Sequence, residues 1–177
     1  MKKITSASAI LLLVILGISC TSQRDKDIKT ITKLEKQLEQ EGARPDAEKL
    51  NQLLDSYIAF VDHNAADTAA PAYLYKAVNL CIGINNGPKA MELIDRTIND
   101  FQQSNYLPET VFLKAYTYEN LMNQFGQASK VYNDFLVKYP DHDLSDDAAA
   151  ALKYMGKTPE ELVEEFEANA AKADSAK

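Results

Sequence analysis

The sequence predicts an all-α fold made of antiparallel helical hairpins that stack side by side. Residues that disfavour helix are scarce, with six glycines and six prolines in 177 residues. Straight-chained helix formers such as Ala, Leu, Glu, Lys and Gln are common. Apolar residues recur at spacings of three and four along most of the chain. The segment that starts at Pro71 matches the segment 38 residues later, and a period of roughly 20–50 residues is typical of stacked helical units.

The first 19 residues have the features of a secretory signal peptide. Lys2 and Lys3 precede an apolar run over residues 9–18. As a helix this run would rise about 15 Å, half the thickness of the hydrocarbon core of a bilayer. It is too short for a permanent membrane span and is typical of a signal that is removed.

The end of this segment, Leu-Gly-Ile-Ser-Cys at residues 16–20, places a small residue directly before a cysteine. It resembles the lipobox of bacterial lipoproteins, although Gly17 stands where a large aliphatic residue is usual. The resemblance implies cleavage before Cys20, lipidation of its thiol and a location in the cell envelope, and several acyl chains would give stable anchoring. No aspartate follows Cys20, which favours the outer membrane, facing the periplasm. The alternative is ordinary secretion, in which Cys20 has no special role.

The rest of the chain divides into a short polar part and a long helical part. We expect a polar tether at residues 20–27, a helical repeat domain at 28–170 and a frayed tail at 171–177. Within the domain we expect full repeats at about 71–107 and 108–144, partial repeats at 46–70 and 145–156, and a capping helix at 159–170. The capping helix begins with Thr158, Pro159 and Glu161, which are typical of a capped helix start.

Each full repeat is predicted to be a helix, a short turn and a second helix. At a shift of 38 residues, identical residues align at three places: Lys76-Ala77 with Lys114-Ala115, Asn85 with Asn123, and Ala90 with Ala128. Residues of the same class fill the positions between them. A unit of this kind cannot bury its apolar face alone and must stack on its neighbours.

The residues of the second repeat resemble the tetratricopeptide repeat family. That family has a small residue and an aromatic in the first helix, an alanine and an aromatic in the second, and a closing proline. The second repeat supplies all five, in Ala115, Tyr118, Ala128, Tyr132 and Pro140. The first repeat departs from the pattern at its end, where Gln102 replaces the proline, and the chain has no tryptophan.

The resemblance covers about residues 46–156 and implies a right-handed stack of helical hairpins, a solenoid, with flanking helices at both ends. It is closest to the degenerate repeats of envelope lipoproteins that assist β-barrel assembly or coordinate cell division. In this family the first helix of each pair lines a groove that holds a peptide.

Four residues are candidates for binding a partner in such a groove: Tyr75, Asn79, Tyr116 and Asn120. They lie on the side of the first helices away from the small residues. Tyrosine offers a large contact area with a polar tip, and asparagine can form hydrogen bonds with a peptide backbone. The alternative is that these residues serve only as surface or inter-repeat packing.

Ionisable residues show no pattern of a catalytic or metal site. The chain contains no phosphate loop, nucleophile elbow or His-x-x-x-His pair. Its two histidines, His63 and His142, are expected in exposed loops too far apart to share a metal. An acidic cluster from Asp141 resembles a calcium loop, but Asp146 and Leu152 occupy the positions that need glycine and glutamate. We therefore expect no catalytic residue, metal or cofactor.

Charge and residue pattern together predict a protein-binding function. The net charge of −7 should repel both phosphate backbones and anionic lipid headgroups, so we do not expect nucleic acid as a partner. Cys81 is expected to be a buried small hydrophobe. We expect a membrane-anchored, non-catalytic scaffold or adaptor of the cell envelope, whose partners are envelope proteins. The alternative is an accessory factor of envelope biogenesis that binds cell-wall glycan or outer-membrane protein clients.

Overall fold

The computed structural model describes residues 22–42 and 45–175. The regular structure in these residues is entirely helical, so the predicted all-α class is confirmed. The eight helices of the described residues are α1 (Gln23–Glu41), α2 (Ala47–His63), α3 (Ala70–Gly83), α4 (Gly87–Asp100), α5 (Leu107–Asn120), α6 (Phe125–Lys138), α7 (Ser145–Tyr154) and α8 (Pro159–Ser175). The predicted signal peptide and Cys20 lie outside the described residues.

The chain divides into two compact units between Ala65 and Ala66. The first contains α1 and α2, and the second contains α3 to α8. Over residues 22–42 and 45–175, no helix is both long enough and apolar enough to cross a bilayer.

In the first unit, α1 begins earlier than the sequence predicts. The hydroxyl of Ser22 accepts a hydrogen bond of 3.1 Å from the backbone N–H of Asp25, which caps the helix. The predicted tether is therefore helical from Gln23 onwards. The tether was inferred from polarity alone, and polarity does not distinguish a loop from the exposed first turns of a capped helix.

Helix α2 packs against α1 through an apolar core. Its N-terminus is capped by Asp46, whose carboxylate accepts a hydrogen bond of 2.8 Å from the N–H of Glu48. The buried side chains of this unit are Ile31 and Leu34 from α1 and Leu53, Leu54, Tyr57, Phe60 and Val61 from α2. Two helices joined by a short turn bury one apolar stripe each, and the opposite face of α1 remains in solvent.

In the second unit, each helix from α3 to α6 packs against the next one along the chain. Small residues lie at the centre of this packing. Six alanines of the described residues are fully buried: Ala70, Ala77, Ala90, Ala115, Ala128 and Ala148. Helices that approach to about 8–10 Å leave room only for short side chains at the point of contact.

Two turns of the second unit share an unusual backbone conformation. Asn85, after α3, and Asn123, after α5, have positive φ values of 57° and 52°, and they are the only residues other than glycine to do so in the described chain. Asparagine tolerates this left-handed conformation better than most residues. The N–H of Asn86 donates 2.8 Å to the carbonyl of Cys81, which closes the end of α3. The two asparagines are 38 residues apart, the shift at which the sequence matches itself.

Helix α8 has the predicted start but not the predicted burial. The hydroxyl of Thr158 accepts from the N–H of Glu161 at 3.2 Å, and the Glu161 carboxylate accepts from the N–H of Thr158 at 2.8 Å. Val163 and Phe166 nevertheless remain 55% and 53% exposed. Phe166 contacts Tyr154 with ring centroids 5.7 Å apart. Val163 and Phe166 stay exposed because the short α7 offers little other apolar surface to cover them. The helix also continues to Ser175, into the segment expected to fray.

Candidate binding surface of the second unit

An aromatic pair is the most prominent feature on the surface of the second unit. Tyr75 on α3 stacks on Tyr106, the residue before α5, with ring centroids 5.1 Å apart and planes at 28°. Tyr75 is half-buried, whereas Tyr106 is 37% exposed. The pair fixes two rings against each other and leaves part of their surface, with a polar hydroxyl tip, open to a ligand.

Tyr106 also borders an open depression of about 750 Å³ between the α4–α5 loop and the start of α3. Ligand sites typically have volumes of about 300–1,000 Å³. Apart from Asp100 its lining is uncharged, and Asp100 is paired with Arg96 at 3.5 Å. Four amide side chains line it: Asn99, Gln102, Gln103 and Asn105. Amides donate and accept hydrogen bonds at once, so this depression suits an uncharged polar ligand.

The two predicted asparagines are exposed and oriented in the same way. Asn79 Nδ2 donates 2.9 Å to the carbonyl of Tyr75, and Asn120 Nδ2 donates 3.2 Å to the carbonyl of Tyr116. Each bond uses one of the two N–H groups of the amide. The second N–H and the oxygen of each side chain therefore retain the capacity to bind a backbone.

Tyr116 lies on α5 beside a buried hydrogen bond. It is 37% exposed, while Tyr132 on α6 is buried and donates 3.0 Å to Glu119 Oε2. Burial and the hydrogen bond to Glu119 raise the pKa of Tyr132 far above its ordinary value. The hydroxyl of Tyr132 therefore stays protonated and donates the hydrogen bond that joins α6 to α5. Tyr116 is the surface tyrosine of this region.

The structure thus gives the four predicted residues different surroundings. Tyr75 adjoins the depression through Tyr106, and Asn79 lies one turn further along α3. Tyr116 and Asn120 form a similar pair on α5, but no hydrogen bond or ring contact within the described residues links them to the pair on α3. Sequence reasoning missed Tyr106 and the amide-lined depression. The available signal was the run Asn-Asp-Phe-Gln-Gln-Ser-Asn-Tyr at residues 99–106, which is dense in amides and aromatic residues.

His142 has structural partners in the second unit. His142, expected in an exposed loop, is instead packed against Phe135 with centroids 5.6 Å apart. Its Nδ1 accepts 3.2 Å from the N–H of Leu144, and its Nε2 is 3.7 Å from Glu109. The loop folds back onto α6, and spacing alone could not show this.

Cys81 is fully buried, as expected, and burial raises the pKa of its thiol to about 11. Over the described ranges, no group of three or more His, Cys, Asp or Glu residues could hold a metal ion.

Comparison with protein-family models, curated proteins and solved structures gives no match.

Proposed function

We propose that this chain is a membrane-anchored, non-catalytic binding module of the bacterial cell envelope. In this proposal a lipid on Cys20 anchors the chain, at the outer membrane and facing the periplasm, and the second unit holds an envelope protein. The observation that carries the proposal is the partly exposed Tyr75–Tyr106 pair beside an uncharged, amide-lined depression. Stacked aromatic rings and amides contribute contact area and hydrogen bonds to a bound chain, without chemistry of their own.

We further propose that the second unit is a tetratricopeptide-like solenoid, with its hairpins in a right-handed stack. Three observations support this arrangement. The helices from α3 to α7 contact one another in chain order, buried alanines recur in successive helices, and the two left-handed asparagines are separated by one sequence period. In such a stack α3 and α5 are the first helices of consecutive hairpins, so their surface Tyr and Asn residues would face the same groove.

The test is site-specific photocrosslinking in intact cells. A photoreactive phenylalanine derivative is placed at Tyr106 or Tyr116, and at Val137, which is 84% exposed on α6, as the control. The proposal requires that one defined set of envelope proteins is crosslinked from positions 106 and 116 and not from 137. The set should be lost when Tyr75→Ala is added while the helical circular dichroism is unchanged. Equal crosslinking from all three positions would show that this surface does not select a partner.

The anchor is tested separately by fractionation. Wild-type protein should sediment with the outer membrane, and the Cys20→Ala variant should not acquire a lipid. A wild-type chain whose mass shows no acyl groups would reduce the proposal to a secreted binding module.

A second candidate ligand is a neutral glycan, and the amide-lined depression favours it. Sugars offer hydroxyls to amides and an apolar face to an aromatic ring. Nuclear magnetic resonance titration separates the two ligands, with an N-acetylglucosamine oligomer compared with a capped extended peptide. Shifts confined to residues 99–106 with the sugar alone would select the glycan.

A further inference from the structure

A row of lysines runs along the exposed face of α1. Lys26, Lys29, Lys33 and Lys36 follow one another at spacings of three, four and three residues, and all are exposed. At 3.6 residues per turn they fall within about 80° of the helix circumference, over a length of about 15 Å. We call these four residues the lysine stripe. It stands out in a chain whose net charge is −7.

The acidic residues of α1 are mostly turned the other way, towards α2. Asp27 accepts from Asn64 at 3.1 Å and lies 3.0 Å from His63. Glu35 accepts 2.8 Å from the hydroxyl of Tyr57. These acids therefore have partners within the first unit, and they do not neutralise the stripe.

Glu41, at the end of α1, is likewise paired, with Lys49 of α2. By contrast, the described residues contain no ion pair, defined by an N–O distance of up to 4.0 Å, between an acidic side chain and a lysine of the stripe. Three acids remain near it. Asp55 of α2 borders the same shallow groove as Lys29 and Lys33, and Asp25 and Glu39 are exposed at the two ends of α1. The middle of the exposed face remains positive.

The position of α1 in the chain indicates what the stripe meets. Only two residues separate Cys20 from Gln23, the start of α1, and three peptide units extend at most about 10 Å. A lipid on Cys20 would therefore hold α1 at the membrane surface. Lysines beside a membrane are attracted by anionic headgroups. The buried Ile31 and Leu34 face α2, so the outer face has no apolar residues to insert below the headgroups.

We propose that the lysine stripe binds the anionic headgroups of the membrane that carries the chain, so that α1 lies along the bilayer surface. This inference rests on the lipid anchor of the proposed function. The lipid anchor would keep the chain on the membrane, and the lysine stripe would fix the orientation of α1 on its surface.

The test is chemical footprinting of the full lipidated chain, purified in detergent from a bacterial host and reconstituted in vesicles. Vesicles of phosphatidylcholine are compared with vesicles that contain phosphatidylglycerol in addition. Acetylation of each lysine by a small reagent is followed by mass spectrometry. Lys130 and Lys138, exposed on α6, are internal controls in the same sample, so no substitution is needed and folding is not perturbed.

The stripe should be acetylated about threefold or more slowly on the anionic vesicles, and salt should remove the difference because it screens the headgroups. The control lysines should react equally on both. Equal rates for the stripe on both vesicles, with the chain retained on both, would overturn the inference and leave the anchor intact. Loss of the chain from both vesicles would overturn the anchor and the inference with it. Protection that occurs only in native envelope vesicles would assign the stripe to an acidic protein instead.

Discussion

The hydroxyl of Tyr132 donates a hydrogen bond of 3.0 Å to Glu119, and this bond joins α6 to α5. Tyr132 is 1% exposed and belongs to the core cluster that also contains Phe135 and Ala128. A second tyrosine, Tyr139, lies directly after α6 and packs against this cluster, but its buried hydroxyl has no hydrogen-bond partner among the described residues. Two tyrosines in one core thus differ in whether their polar atom is satisfied.

The same substitution should therefore have opposite effects at these two positions. Tyr132→Phe removes a donor from Glu119 and should lower the free energy of unfolding by about 1 kcal/mol. Tyr139→Phe removes a buried, unpaired hydroxyl and should leave stability unchanged or raise it. Urea unfolding followed by circular dichroism measures both. An equal loss in the two variants would show that the Tyr132–Glu119 bond contributes nothing specific.

Tyr132 should also make the protein sensitive to alkaline pH. Its pKa is raised in the folded state, by burial first and then by Glu119, whereas in the unfolded chain it is about 10. The contribution of Tyr132 to folding stability is therefore complete below pH 10. It is lost as the pH rises above 10, because Tyr132 then ionises more readily in the unfolded chain than in the folded protein. Between pH 8 and pH 11 the wild type should lose more stability than Tyr132→Phe. Parallel losses would contradict the assignment to Tyr132.

Ala128 should tolerate no larger side chain. It is fully buried between helices of the second unit, and Ala128→Leu should cost about 1–3 kcal/mol through overpacking. Ala149→Leu is the control, since Ala149 is exposed on α7, and it should change stability by less than about 0.5 kcal/mol. Thermal unfolding distinguishes the two. An unchanged midpoint for Ala128→Leu would mean that α6 is free to shift away from its neighbours.

Asn85 and Asn123, the two asparagines at positive φ, should respond differently to alanine and to glycine. Asn85→Ala and Asn123→Ala place an ordinary side chain at positive φ and should each cost about 1 kcal/mol, whereas Gly at either position should be tolerated. Asn133→Ala, at an exposed helical position of α6, is the matched control and should be nearly neutral. Chemical unfolding of the five single variants gives the comparison. A loss for Asn133→Ala as large as that for Asn85→Ala would contradict the role of φ.

The sequence predicts the helices of this fold well because their signals are local. The apolar spacing of α2, the Pro71 at the start of α3 and the Thr158 capping box each determine structure within a few residues. The start of α1 was placed too late because the cap is a single serine, Ser22, in a polar stretch. The burial of α8 was overestimated because burial depends on the surface that α7 offers, which the residues of α8 do not encode.

The candidate site was predictable only in part. The exposure of Asn79 and Asn120 follows from helical periodicity, which also places them away from the buried alanines. The stacking of Tyr75 on Tyr106 could not be foreseen, because it depends on how the loop after α4 turns back. The depression lined by Gln102 and Gln103 is formed by that same loop.

The cap of α4 has a consequence for the chemical ageing of the protein. Asn86 precedes Gly87, the sequence context in which an asparagine side chain deamidates most easily, by attack of the next backbone nitrogen. In the fold, Asn86 Oδ1 is held by the N–H of Lys89 at 3.2 Å, and Gly87 is packed against Leu121. The capping bond and this packing restrain both residues in the fold. We therefore expect deamidation at this position to be faster in molecules whose α3–α4 hairpin has opened, so that its rate reports how often that happens.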